Sequence, residues 1–176
     1  SAIAVLGVST SFAALVMERD QSVDTAPSVG MYRFEVPVEL QGTYNSAGVA
    51  NLTASMEKEP NTLSMNVAHV KGNPSESYVV EIYKDLAAIE THRKSEHYQA
   101  FVNEVGSKLT NRKMYDVQSV LLFEKKDASS IVNDGKAVVT LTEFTVDSNE
   151  IDTVQRQYQL DMERAVRDDA GYKAGY

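Results

Sequence analysis

Proton transfer near neutral pH needs a group that titrates there. In this chain of 176 residues the candidates are three histidines, His69, His92 and His97, since cysteine is absent. His92 stands at the end of a short helical stretch, residues 85–92, that faces a sheet. There it can act as a general base on an acidic C–H or a phenol, or bond a carbonyl at the helix end. His97 falls in the first turn of a helix begun by Ser95, beside the positive end of the helix dipole. It is a second base or a capping residue. Glu81 interrupts the apolar run YVVEIY, and a buried carboxylate without a partner is costly. It can orient His92 or His97, or pair with Arg93 or Lys84. His69 shares a strand face with Leu63, Met65 and Val67, as a catalytic group or as a strand-end residue. Tyr83 and Tyr98 can wall an aromatic pocket or pack in the core, and Asn66, on the face opposite His69, offers a polar contact. The histidines have no i,i+4 pairing and no matching carboxylate frame, so spacing gives no metal centre. Nor is there a glycine-rich phosphate loop.

These side chains hang on elements that the patterning supplies in the order β-α-β-β-α-β. Residues 31–39 read as a strand with Tyr32, Phe34, Val36 and Val38 on one face, and Pro37 implies an edge or a bulge. Thr43 can cap a helix running to about Lys58, in which Val49, Leu52 and Met56 recur at helical spacing. Glu59-Pro60-Asn61 stops it. Residues 63–71 alternate as a strand, Gly72-Asn73-Pro74 turns the chain, and residues 77–84 return. After the helix over 85–92, Tyr98, Phe101, Val102, Val105 and Leu109 form a buried helical stripe. Residues 113–125 close the unit, with 120–123 as an inner strand. The expected fold class is α+β, ferredoxin-like βαββαβ, over residues 31–126.

Residues 59–101 carry the most informative pattern. A Pro-containing hairpin leads to a strand ending Glu81-x-Tyr83, then to a helical stretch with His92, Ser95 and His97 before Tyr98. This resembles the antibiotic biosynthesis monooxygenase (ABM) family, nearest in spacing to its quinol-monooxygenase-like and autoinducer-2-processing members. The resemblance implies a dimeric α+β barrel, in which two four-stranded sheets pack face to face and each domain holds an apolar pocket between sheet and helices. The activities it implies are oxidation of aromatic polyketides or quinols by O2 with no flavin or metal, haem degradation, or rearrangement of a small signalling ketone. Haem-degrading members use an Asn, a Trp and a helical His. This chain has no Trp; His92 stands at the position of that Trp and Val102 near that of the haem ligand, which disfavours haem. His92 and His97 are then the candidate bases, Glu81 their orienter, Tyr83 and Tyr98 pocket walls, and His69 and Asn66 further substrate contacts. No cofactor is expected, and the implied partners are a small aromatic or carbonyl substrate and O2.

Composition narrows the alternatives. Apolar residues make up 43% and charged residues 24%, as in a soluble globular protein. Lys and Arg total 17 against 25 Asp and Glu, a net charge of −8 that repels phosphate backbones and anionic membranes. Neither nucleic acid nor membrane is an expected partner, and the lack of cysteine fits a reducing, cytoplasmic setting. Residues 3–17, IAVLGVSTSFAALVM, fall short of the roughly 20 apolar residues of a membrane span. Ser9, Thr10 and Ser11 interrupt them, so two strands, 3–8 and 12–19, are preferred over a signal remnant. Residues 20–30 read as a linker. RFEVPVE laid over LTEFTVD places Glu35 on Glu143, and the same offset lays Leu52 on Leu160. FAALVMERD also resembles YVVEIYKD. Residues 137–146 read as a further strand, and Ile151, Val154, Tyr158, Met162 and Ala165 mark a following helix that Asp147 or Ser148 can cap. Residues 1–20 plus 137–176 therefore read as an incomplete or permuted second lobe, with an unrelated N-terminal hairpin as the rival. The assembly would be a homodimer or an intrachain pseudo-dimer. Two functions compete: a cofactor-independent monooxygenase acting on a quinol, polyphenol or small carbonyl compound, and a non-catalytic small-molecule binding or stress-response module.

Overall fold

A computed structural model of the chain describes residues 2–9, 27–117, 120–124 and 138–176. After β1 (Ala2–Ser9), the framework runs through β2 (Ser28–Glu35), α1 (Gln41–Lys58), β3 (Thr62–Val70) and β4 (Asn73–Tyr83). It continues through α2 (Leu86–Lys94) and α3 (Glu96–Glu104) to β5 (Thr110–Tyr115). All pairings in the main sheet are antiparallel, in the order β5-β2-β4-β3-β1-β7, where β7 is Val138–Thr140. Four contiguous strands at one end of the sheet, β5-β2-β4-β3, with their helices make the ferredoxin-like α+β unit.

The side-chain period of two along each strand sorts the sheet into two faces. On β4, Val79, Glu81 and Tyr83 face a helix-covered cavity, while Ile82 packs on the other side with Leu63 and Leu122. Leu63 departs from the expected face because the β3–β4 register shifts between Thr62 and Ser64. Met65 and Val67 keep it, and join Val36, Tyr44, Leu52, Val105 and Leu109 in the main core. β2 stops at Glu35, short of Pro37, and lies inside the sheet between β5 and β4. Pro37 therefore ends the strand and marks no edge. α1 begins at Gln41, after a 3-10 turn over Val38–Leu40, so Thr43 is not its cap. Its buried stripe is Tyr44, Ala47, Asn51, Leu52 and Ser55, while Val49 is exposed.

Beyond β5 the expectations shorten. The inner strand expected at 120–123 reduces to β6 (Phe123–Glu124), which pairs with β8 (Ala174–Gly175) and not with the main sheet. The strand expected over 137–146 is the three-residue β7, and β1 lies between it and β3. The second expected N-terminal strand, 12–19, lies outside the described residues, as do residues 20–26. The C-terminal helix α4 (Ile151–Asp168) starts after Glu150 with no side-chain cap, so neither Asp147 nor Ser148 serves. Among the described residues no helix is long and apolar enough to cross a membrane.

Candidate active site

Three helix ends converge at one corner of the helix-covered face. α1 releases the chain at Glu59, whose N–H still bonds Ser55 O at 2.9 Å while its backbone turns extended. Asp85 caps α2 by accepting from Ala88 N at 2.9 Å, and Ser95 caps α3 by accepting from Tyr98 N at 3.3 Å. The same Ser95 hydroxyl donates to His92 O at 2.7 Å, which ties the two helices together. His92 and His97 thus come from different helices onto a single carboxylate. His92 Nδ1 lies 3.1 Å from each Glu59 oxygen, and His97 Nε2 lies 2.6 Å from Oε1. Thr62 Oγ1 donates to Oε2 at 2.6 Å, and Ser55 Oγ lies 3.3 Å from His92 Nδ1.

These contacts fix the tautomer of His92. An ionised carboxylate only accepts hydrogen bonds, so the proton sits on Nδ1 and Nε2 carries a lone pair. That Nε2 is buried with no hydrogen-bond partner among the described residues. Burial moves the His92 pKa down, against the pull of Glu59, which keeps the ring neutral. For Glu59 burial works to raise the carboxyl, but the bonds from Thr62, His92 and His97 outweigh it and hold it below the ordinary value. The His92 ring packs against Tyr98 at 4.8 Å and Tyr83 at 5.7 Å between centroids.

His92 borders a cavity of about 290 Å³ between sheet and helices, near the small end of ligand pockets. Phe34, Leu52, Met65 and Phe101 give it apolar walls; Glu81, Tyr83, Arg93 and Tyr98 give it a polar end. Tyr83 OH donates to Glu81 Oε2 at 2.9 Å. Burial pushes the Glu81 carboxyl up to about 7, offset in part by Tyr83 and Arg93. Tyr44, also on the wall, is pushed up to about 12 by burial, and its OH lies 2.9 Å from Ser77 Oγ.

Set against the sequence, the structure brings His92, His97, Tyr83 and Tyr98 together and adds Glu59, which the sequence offered only as a helix stop. Glu81 is corrected from orienter to a wall group bonded to Tyr83, because the carboxylate that both imidazoles meet belongs to Glu59. His69 and Asn66 do not line the cavity. His69 Nε2 bonds Asn45 Oδ1 at 3.0 Å on the first half of α1, while Asn66 Nδ2 donates to Ser64 Oγ at 3.0 Å on the far face. Glu59, His92 and His97 also offer donor atoms within 4.8 Å of one another, a convergence that spacing could not show because each comes from a different element. The signal for Glu59 was present in α1: Asn51, Ser55 and Glu59 put polar groups at i, i+4 and i+8 on the inward stripe.

Residues 29–104 match the model of the family described as antibiotic biosynthesis monooxygenase. That segment is similar to an ABM domain. It contains the whole corner, from Glu59 through Tyr98. Among solved structures the chain resembles a candidate monooxygenase from Lactobacillus acidophilus NCFM, with TM-score 0.52 and 22% identity over 64% of this chain and 47% of that one. The present chain thus spans about half the length of that protein. A candidate antibiotic biosynthesis monooxygenase from Bacteroides thetaiotaomicron VPI-5482 gives TM-score 0.53 and 21% identity over 57% of this chain and 94% of that one. One from Nitrosomonas europaea gives 0.51 and 17% over 57% and 96%. At such identities the likeness is one of fold. No curated protein matches the chain.

Proposed function

We propose that the protein is a small-molecule monooxygenase of the ABM type that acts, without a bound cofactor, on a quinol, polyphenol or small carbonyl compound. The observation that carries this reading is His92: Glu59 holds its Nδ1–H, and its Nε2 is a buried acceptor on a residue of the cavity wall, without a partner among the described residues. A base so held takes the proton of an acidic phenol or C–H. The electron-rich anion then reacts with O2 to give a peroxide, which takes the proton back from His92. Loss of water from the hydroperoxide leaves a new carbonyl. One oxygen atom ends in the product and the other in water, so O2 is the sole oxidant and no outside reductant is required. Arg93 and the Tyr98 hydroxyl stand at the polar end, where anionic oxygens need donors.

The test is O2 uptake with menadiol-type and anthrone-type substrates. His92→Ala should lower the rate by about 100-fold or more, the usual worth of a positioned base, and Glu59→Gln by about tenfold. Binding of these compounds with no O2 uptake by the wild-type protein would transfer the site to the non-catalytic binding class.

A further inference from the structure

We propose that Glu59, His92 and His97 form a binding site for one divalent transition-metal ion of the Zn²⁺ class. The donor set is two imidazoles and a carboxylate, the combination that suits first-row transition metals over Mg²⁺ or Ca²⁺. The three donor atoms lie within 4.8 Å of one another, and each histidine already meets the carboxylate, at 3.1 and 2.6 Å. An ion bonded at about 2.1 Å to each ligand needs its donors roughly 3 Å apart, so short movements of side chains close the set. The carboxylate is also oriented from behind, since Thr62 Oγ1 donates to Oε2 at 2.6 Å, an arrangement that metal sites use to aim their ligands. Glu59 and His92 are buried, whereas the His97 side chain is 14% exposed and gives the ion a way in.

Ligation changes the chemistry of the corner. Nδ1 of His92 must present its lone pair to the ion, which moves the ring proton to Nε2. A loaded chain therefore has no base on that nitrogen, and ion binding and the proton-accepting form of His92 exclude one another. The site itself goes beyond the oxygenase reading and does not depend on it.

Calorimetric titration of the full chain, stripped with a chelator, tests the site with Zn²⁺ and, in parallel, Mg²⁺. One Zn²⁺ per chain should bind, with at least tenfold preference over Mg²⁺. Affinity should fall at least tenfold in Glu59→Gln and in His97→Asn and stay unchanged in His69→Asn, whose histidine bonds Asn45 instead. Zn²⁺ should also raise the melting temperature of the wild type and not that of His97→Asn. Should Glu59→Gln fail to fold, the partly exposed His97→Asn decides the matter. Absence of saturable Zn²⁺ binding, or equal affinity in wild type and His97→Asn, overturns the proposal. None of these readouts uses turnover, so they stand or fall apart from the oxygenase reading.

Discussion

A carboxyl that titrates near neutrality ties the pocket to pH. Glu81 is raised to about 7 in the fold, chiefly by burial, whereas an unfolded glutamate titrates near ~4.3. Between those values the folded chain holds a proton that the unfolded chain has lost. Stability therefore falls as pH rises through this window and stays low above it. Glu81→Gln keeps an acceptor for Tyr83 OH and removes the charge. It should match the wild type at pH 4 and exceed it at pH 8 by up to about 4 kcal/mol, at 1.36 kcal/mol per pKa unit. Urea melts at the two pH values check this; a difference independent of pH would refute it. At this scale the sequence was readable where chemistry-bearing types crowd into a short stretch, as at His92, His97 and Tyr98. It misled at His69, because alternation tells which face a strand residue takes and not which end of the sheet it reaches; Asn66 lies on the far face, where alternation puts it, away from the cavity. Glu59 escaped because beside Pro60 a charged residue reads as punctuation.

Among the elements, the joint between α2 and α3 governs the site. One hydroxyl, Ser95 Oγ, caps α3 and also bonds the carbonyl of His92. Ser95→Ala should cost about 1 kcal/mol, the usual worth of an N-cap, seen as a shift in urea midpoint. Because the same bond sets the angle between the two histidine-bearing helices, O2 uptake should fall by about tenfold even where the protein remains folded. An equal loss at sites that cap helices elsewhere would show that only stability is at stake. The Ser95 cap was legible, since capping is local and a short polar side chain before an apolar stripe announces it, but the same rule misplaced a cap at Thr43, which lies inside α1. The inward face of α1 was not. Apolar periodicity points to Val49, Leu52 and Met56, yet Asn51 and Ser55 are buried and Val49 is exposed. A stripe that lines a reactive corner carries polar groups, and a count of apolar residues passes over them. β6 and β7 were overestimated because a strand's length is decided by partners, here β8 and β1, far away in sequence.

For the whole molecule the decisive feature is the sheet's extension past the ferredoxin-like unit. β1 lies along the outer side of β3, with Leu6 opposite Val67, and carries β7 on its other side. An uncovered β3 would offer its backbone to other chains. Leu6→Pro removes an N–H from that strand and should raise light scattering at a fixed concentration, while the α1–α3 core keeps its circular dichroism. The time course of folding follows from the same arrangement. From Ser28 to Tyr115 each strand of the ferredoxin-like unit is reached through nearby chain, whereas Ala4 pairs with Val138, 134 residues further along (138 − 4). Loop closure over such a distance is entropically slow. During synthesis the ferredoxin-like unit can collapse while β1 waits, unpaired on its outer side, for β7 to be made. Stopped-flow refolding should show a fast phase for the ferredoxin-like unit and a slower one for the docking of β1 and β7. In Leu6→Pro the slow phase should vanish and the fast one persist.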